Sequence, residues 1–335
     1  MKRAVARDIL KNEAKAFRAR LLAWYDGHAR DLPWRKSRDP YRVWLSEIML
    51  QQTRVAAVIE HYHEFLRRFP SVRKLAAARE SSVLAAWSGL GYYRRARMLH
   101  EAAKMITRKL DGNFPQSAER WRALPGIGRY SAAAIASIAF GEPVAVVDGN
   151  VERVLQRVTG KPLAGAQLWQ AAEELLDRSR PGDSNQAMME LGATVCTPRT
   201  PTCLMCPVVE VCATRGELAG VAHPSHQKKR EIHYALVCRN SRILLVQRPR
   251  QASLMAAMWE LPQIEPPADH AGPAFTVKHS ITTTDYTVGV WNFPPLERTR
   301  GEWVSSVRLQ YFPLTGLARK ILRRAGVLTP VTSNS

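Results

Sequence analysis

The chain has 335 residues, 46% of them apolar, enough for two or three domains that each bury a core of their own. Forty-nine Lys and Arg against 29 Asp and Glu give a formal net charge of +20 spread along the chain, which points to a polyanionic partner, nucleic acid before an anionic membrane surface. There is no run of about 18 apolar residues to span a bilayer, and MKRAVARDILKNEAKAFRAR interleaves charges where a signal peptide needs an unbroken apolar core; a cytoplasmic protein with no membrane partner is expected.

From residue 8 to about 195 apolar side chains recur at intervals of three and four. Helices are predicted in RDILKNEAKAFRARLLAWY, VWLSEIMLQQTRVAAVIEHYHEFL, SSVLAAWSGL, RRARMLHEAAKMITRKL and LWQAAEELLDRS, with Pro, Gly and Asp at the breaks. In the second of these Glu47 is the one acidic residue between Asp39 and Glu60. On a continuous helix it shares a face with Gln51 and Arg54, so taken alone it reads as part of a solvent-facing polar stripe.

LPGIGRYSAAAIASIAF then puts a Pro-Gly-x-Gly turn between two helices, the second rich in small residues. Gly126 and Gly128 let another backbone approach, and the amides at the following helix N-terminus suit an anion, which makes Gly126, Gly128 and Arg129 candidate contacts to a DNA phosphate. In VVDGNVERVLQRV, Asp148 follows an apolar run and opens another helix, the position of an ordinary N-cap.

Four of the five cysteines fall in CTPRTPTCLMCPVVEVC with the spacing Cys196-x6-Cys203-x2-Cys206-x5-Cys212. In a cytosolic chain such clustering favours metal ligation over disulfides, and four thiolates suit either tetrahedral zinc or a [4Fe-4S] cube. A single C-x2-C pair, where zinc sites commonly have two, favours the iron–sulfur cluster. The basic, proline-containing AGVAHPSHQKKRE reads as a linker, after which the texture changes to strands. IHYALVCRN and RILLVQRP flank an Asn-Ser turn, TDYTVGVWNF alternates, and GLARKILRRAG is helical. Cys238, in YALVC, is expected to be a buried thiol.

LPGIG, VVDGNVERV and the cysteine loop, in this order, resemble the helix–hairpin–helix superfamily of base-excision DNA glycosylases. Within it, PWRKSRDPYRVWLSEIMLQQTRV, GLGYYRRARMLH and NQAMMELGATVC resemble the adenine DNA glycosylase (MutY) branch over residues 17–215, with a weaker continuation to about 325. The resemblance implies an all-α glycosylase domain over 8–218, with a six-helix-barrel part about 31–140 and a cluster part at 8–30 and 141–218. A linker at 219–231 and a small α+β Nudix-like domain at 232–326 would follow.

It also implies removal of adenine from 8-oxoguanine:A or G:A mispairs in double-stranded DNA by a monomer carrying a [4Fe-4S] cluster. Glu47 would be the general acid that protonates the leaving purine, which needs a carboxyl shielded from water. Asp148 would face the positive charge left on the sugar, Asn150 would position the water or the aspartate, and Tyr130 would lie beside the sugar. Tyr130 stands where strand-cutting relatives carry a Schiff-base lysine, which implies a monofunctional enzyme. Trp34, Arg35 and Glu190 would line the adenine pocket, Leu50 and Gln51 would lie near the opposite base, and Gln52 and Tyr92 would wedge into the duplex.

In the C-terminal domain the Phe-Ser-His segment that contacts 8-oxoguanine in this branch reads Val277-Lys278-His279 here, followed by Ser280. Lys278, His279 and Ser280 are the candidate lesion contacts. No glutamate-rich Nudix motif is present, so hydrolase activity is not expected. Two rival readings are a mismatch or oxidised-base glycosylase of the same superfamily and a non-catalytic DNA-binding metal protein.

Overall fold

The computed structural model describes residues 2–215, 228–266, 272–281, 284–294 and 301–328, with side chains from residue 13 onward. In chain order the elements are α1 (Lys2–His28), α2 (Pro40–Leu50), α3 (Val55–Arg68), α4 (Val72–Ala77), α5 (Glu80–Trp87), α6 (Arg94–Lys109), α7 (Ala118–Trp121), α8 (Arg129–Phe140), α9 (Gly149–Thr159), α10 (Ala166–Leu175) and α11 (Pro181–Thr194). Then come β1 (Lys228–Arg239), β2 (Arg242–Gln247), β3 (Trp259–Glu260), β4 (Gln263–Ile264), β5 (Phe275–Ile281), β6 (Thr284–Phe293), β7 (Glu302–Ser305) and α12 (Gly316–Arg324). They form two compact units, residues 1–55 with 105–222, and residues 56–104 with 223–335.

In the first unit α1 packs on α10 and α11, and its Phe17, Leu21 and Tyr25 join Val154, Leu155 and Val158 of α9 in one buried core. Polar side chains close the helix starts. Asp39 accepts from the amide of Arg42 ahead of Pro40, and Asp148 accepts from the amides of Asn150 and Val151. The small-residue helix α8 buries Ala132 to Ser137 on every side, which is what its lack of bulky side chains permits.

The periodicity of residues 43–66 runs on as if through one helix, but the structure breaks it. α2 ends at Leu50, Gln51 leaves the helix at ψ 113°, and Gln52 takes a left-handed φ of 55°. Glu47 therefore does not sit on a stripe with Gln51 and Arg54; it lies on the buried side of α2, 7% exposed, and the solvent-facing reading is corrected.

The second unit holds a mixed sheet in the order β3-β2-β1-β6-β5, with β4 paired to β1 and β7 to β2. β1 and β2 form the expected hairpin, and Asn240 and Ser241 both take positive φ (47° and 57°) as a two-residue turn of matching twist requires. β1 begins at Lys228 and runs parallel to β6 from Thr284, so residues 228–231 of the expected linker are strand, while 216–227 lie outside the described residues. Cys238 is exposed, not buried as expected. It falls just before the hairpin turn, past the buried stretch Tyr234 to Val237.

Candidate active site

Four helices and a short turn of the first unit bring the sequence-predicted residues together. Glu47 comes from the last turn but one of α2, Tyr130 from the first turn of α8, Asp148 and Asn150 from the start of α9, and Met189 and Glu190 from α11. The Tyr130 hydroxyl donates to Glu47 Oε2 at 3.0 Å and lies 3.2 Å from Met189 Sδ. Burial pushes the Glu47 carboxyl up to about 7; the Tyr130 bond and Arg35 pull it down, and the Asp148 charge pushes it further up. The shielding that an acid of this kind needs is thus present. Tyr130 is held well above the usual phenol range by burial first and by Glu47 and Asp148 next.

Asp148 serves as the N-cap read from the sequence and more. Its Oδ1 accepts from the amides of Asn150 (2.9 Å) and Val151 (2.8 Å), and Oδ2 accepts from the Asn150 side-chain amide at 3.2 Å. The residues before it form no strand. Instead Asn185 accepts from the Val146 amide and donates to the Val144 carbonyl, and Glu173 accepts from the Ala145 amide. Those side chains take the place of a neighbouring strand for a backbone that must not be left unpaired when buried. Asn185 and Glu173 were missed by sequence reasoning, because a side chain that satisfies distant backbone leaves no periodic signal.

Glu190 is 1% exposed, and both of its oxygens are taken: Oε1 accepts from the amide (3.2 Å) and Nε (2.7 Å) of Arg30, and Oε2 from Arg30 Nη2 (2.8 Å) and Arg35 Nη2 (2.8 Å). Burial alone would raise its pKa, but the two guanidiniums outweigh that and bring it to about 2. Arg30 is a second residue missed from sequence, one basic residue among many. Trp34, in the short turn Pro33–Arg35, is 7% exposed beside this clamp. Gln51 donates to Ser131 Oγ at 3.0 Å, tying the end of α2 to α8, and Leu50 is half-buried at the helix end.

Gln52 and, within the second unit, Tyr92 (φ 47°) are both exposed and both left-handed, a conformation that non-glycine residues take where the surroundings impose it. Gly126 also has positive φ (76°), and Gly128 caps α8. Arg129 is exposed and lies 3.7 Å over the Trp169 ring.

Cys196, Cys203, Cys206 and Cys212 line one pocket with Val154, Val158 and Leu191. Arg157, 4% exposed, donates to Cys196 Sγ at 3.3 Å and to the carbonyls of Thr197 and Pro198. Among the described residues no three such side chains are placed to hold a single metal ion. The donor set, four thiols around a shared apolar space with a guanidinium at one sulfur, fits a thiolate-ligated group that carries negative charge. Arg153 links this loop to the catalytic candidates, donating to Cys196 O (2.8 Å), Gly192 O (2.6 Å) and Asn150 Oδ1 (2.8 Å).

Gly192 lets α11 pass close to that corner: a Cβ there would come within 2.7 Å of Asn150 Cβ and 3.0 Å of its carbonyl. Gly192→Ala is expected to push Asn150 off its bond to Asp148 and to cost about 1–3 kcal/mol. Urea denaturation beside a single-turnover rate would check this, with both stability and rate lowered.

In the second unit β5 alternates about the sheet. Val277 is buried, Lys278 and Ser280 face outward, and His279 is half-buried. The Lys278 carbonyl accepts from Lys320, and the Ser280 hydroxyl donates to Asp285. The three candidate lesion contacts therefore do not share one face.

The region 45–175 matches the model of the HhH-GPD superfamily base excision DNA repair proteins. The chain is 42% identical over 299 residues to the adenine DNA glycosylase of Homo sapiens, covering 84% of this chain and 49% of that protein. To the adenine DNA glycosylase of Schizosaccharomyces pombe it is 33% identical over 323 residues, covering 76% and 70%. The chain spans about half the length of the human relative. Among solved structures, a thermostable thymine-DNA glycosylase superposes with a TM-score of 0.58 at 30% identity, over 61% of this chain and 97% of that one.

Proposed function

Since the chain belongs to the adenine DNA glycosylase family, within the HhH-GPD superfamily of base excision DNA repair proteins, we propose that it hydrolyses the N-glycosidic bond of adenine mispaired with 8-oxoguanine or guanine in duplex DNA. The observation that carries this reading is the buried Glu47 with its carboxyl near 7, bonded to Tyr130 and within electrostatic reach of Asp148. A carboxyl so shielded keeps a proton at neutral pH and can give it to a ring nitrogen of an extruded purine, which turns adenine into a tolerable leaving group.

The Asp148 carboxylate, oriented by two backbone amides and by Asn150, faces the cation that develops at the sugar, and a pre-oriented charge of this kind stabilises the transition state at little reorganisation cost. Tyr130 supplies a phenol bound to Glu47 where a lyase would supply an amine, so the product is an abasic site. The Glu190 clamp on Arg30 and Arg35 braces the turn that carries Trp34, which supports a fixed wall for the base. Gln52 and Tyr92 wedge into the duplex, and Gly126, Gly128 and Arg129 hold a phosphate. In the sheet domain, proposed here as Nudix-like, Lys278 is the outward-facing cation available to the opposite strand, with His279 behind it.

The deciding experiment is a single-turnover panel on duplexes with 8-oxoguanine:A, G:A, G:T and thymine glycol. Adenine release from the first two and neither thymine nor thymine glycol release from the others is expected; a preference for G:T or thymine glycol would overturn the assignment, as would efficient borohydride trapping of a covalent adduct.

We further propose that the four thiols hold a [4Fe-4S] cluster, whose part is to order the loop between α11 and Arg215; Arg157 and Arg153 stand ready to offset its charge. The purified protein is expected to absorb broadly near 400 nm, and Cys206→Ser to lose that absorption; a colourless protein binding one zinc would sink the proposal.

A further inference from the structure

Between Ser88 and Tyr93 the backbone turns through three left-handed residues, Gly89 (φ 112°), Gly91 (71°) and Tyr92 (47°). Glycine does this freely, but a tyrosine holds such a conformation where its surroundings over-determine it. All of those surroundings lie in the second unit. Ser88, 4% exposed, donates its hydroxyl to Leu314 O at 2.6 Å and accepts from Arg319 Nε at 3.0 Å. At the far end of the turn the Tyr93 hydroxyl, also buried, donates to the same Leu314 carbonyl at 3.1 Å.

Both ends of the turn are therefore pinned to one carbonyl of the C-terminal sheet domain. That carbonyl is itself fixed. Leu314 forms a bridge with Trp259, the Thr315 amide donates to Trp259 O, and Thr315 caps α12, the helix that carries Arg319. Inside the turn Trp87 Nε1 donates to Gly91 O, Arg95 donates to Leu90 O, and the Arg95 guanidinium lies 5.4 Å over the Tyr92 ring. His61 Nε2 lies 3.2 Å from Ser88 O, and a Cβ on Gly89 would collide with the imidazole at 2.9 Å. Of the side chains in the turn, that of Tyr92 is the one left in the open, 46% exposed.

We propose that Leu314 and Arg319 of the C-terminal domain brace Tyr92 through Ser88 and Tyr93, so that this domain takes part in prying the duplex open, apart from any reading of the base opposite adenine. Ser88, Tyr93 and Arg319 are positioning residues. The inference rests on the reading of Tyr92 as the duplex wedge. It assigns to the sheet domain a task that does not require an oxidised base and so applies equally to G:A.

The test uses the full chain and a G:A duplex with 2-aminopurine beside the adenine, whose fluorescence rises on extrusion, together with single-turnover rates. Tyr93→Phe and Ser88→Ala are each expected to lower the extrusion signal and the rate roughly five- to tenfold, in line with the loss of one well-placed hydrogen bond. In a Tyr92→Ala background neither substitution should have a further effect, because they act through that ring. Arg319→Lys should recover part of what Arg319→Ala loses. Equal losses with and without Tyr92 would mean a general structural role and would overturn the brace, as would an unchanged extrusion signal in Tyr93→Phe. If Tyr92→Ala by itself extrudes adenine at the parental level, it is the wedge reading that fails, and the two failures are told apart by that single variant.

Discussion

Glu47→Gln is expected to lower single-turnover adenine release by about 10³-fold, the contribution of a well-placed general acid, and at the same time to raise the protein's stability at pH 8. The carboxyl sits near 7 in the folded chain against an ordinary 4.5 because burial disfavours its charged form. Below about 4.5 both states hold the proton and the group costs nothing. As pH rises from 4.5 towards 7 the unfolded chain ionises while the native one does not, so the unfolded state binds fewer protons and stability falls. Above 7 the full cost is present, on the order of 3 kcal/mol.

Glutamine has no proton to lose and its carbonyl can still accept from Tyr130, so the variant escapes that cost. A melting temperature higher by roughly 5 °C at pH 8, with little difference at pH 4.5, is the expected pattern. In the parent, activity should decline as pH rises through about 7 and the acid loses its proton. A variant that keeps a tenth or more of the parental rate, or that melts lower than the parent at pH 8, would remove Glu47 from the mechanism.

Asp148→Asn is expected to lower the rate by about 10²–10³-fold with almost no change in stability, and the contrast separates the residue's two roles. As an N-cap, asparagine is about as good as aspartate, since its carbonyl oxygen can accept from the amides of Asn150 and Val151 as Oδ1 does now. As the group facing a sugar cation it is not, because it has lost the charge. Replacement of Asp148 by alanine removes both functions and should in addition cost about 1 kcal/mol. Asp148→Asn with the parental rate, or with a melting temperature as low as that of the alanine variant, would reduce Asp148 to a cap and no more. Loss of the charge should also let the Glu47 carboxyl fall below 7, because Asp148 is one of the groups holding it up. The fall of activity at high pH would then move to lower pH in the same variant.

The two carboxyls differ in how far the sequence alone exposes them. Asp148 opens a helix in a stretch whose punctuation is local, and the N-cap was legible. Glu47 stands out as an isolated acid in an apolar run, but the periodicity alone places it on the wrong side, because residues 43–66 have the spacing of one helix facing solvent along Glu47, Gln51 and Arg54. The break after Leu50 depends on Gln51 bonding Ser131, eighty positions away in the chain, and on a left-handed Gln52, neither of which leaves a trace in hydrophobic spacing. Arg30, Asn185, Glu173 and Gly192 escape for the same reason: each matters through a partner from 28 to 160 residues distant, as in the Glu173–Ala145 bond, the Arg30–Glu190 clamp and the close pass of Gly192 over Asn150. Cys238 was placed by its apolar neighbours and came out exposed beside the turn.

What the sequence by itself determined is therefore the local part: helices from their 3.6-residue period, the Asn240-Ser241 hairpin from its turn residues, the Asp148 cap, and the four-cysteine spacing. Each depends on neighbours within a few residues and is written there. The tertiary structure alone decided which of those side chains leave water. Desolvation is a property of everything packed around a group, contributed here by α2, α8, α9 and α11 together, and it is desolvation that turns one glutamate among the chain's carboxylates into an acid able to hold its proton at pH 7.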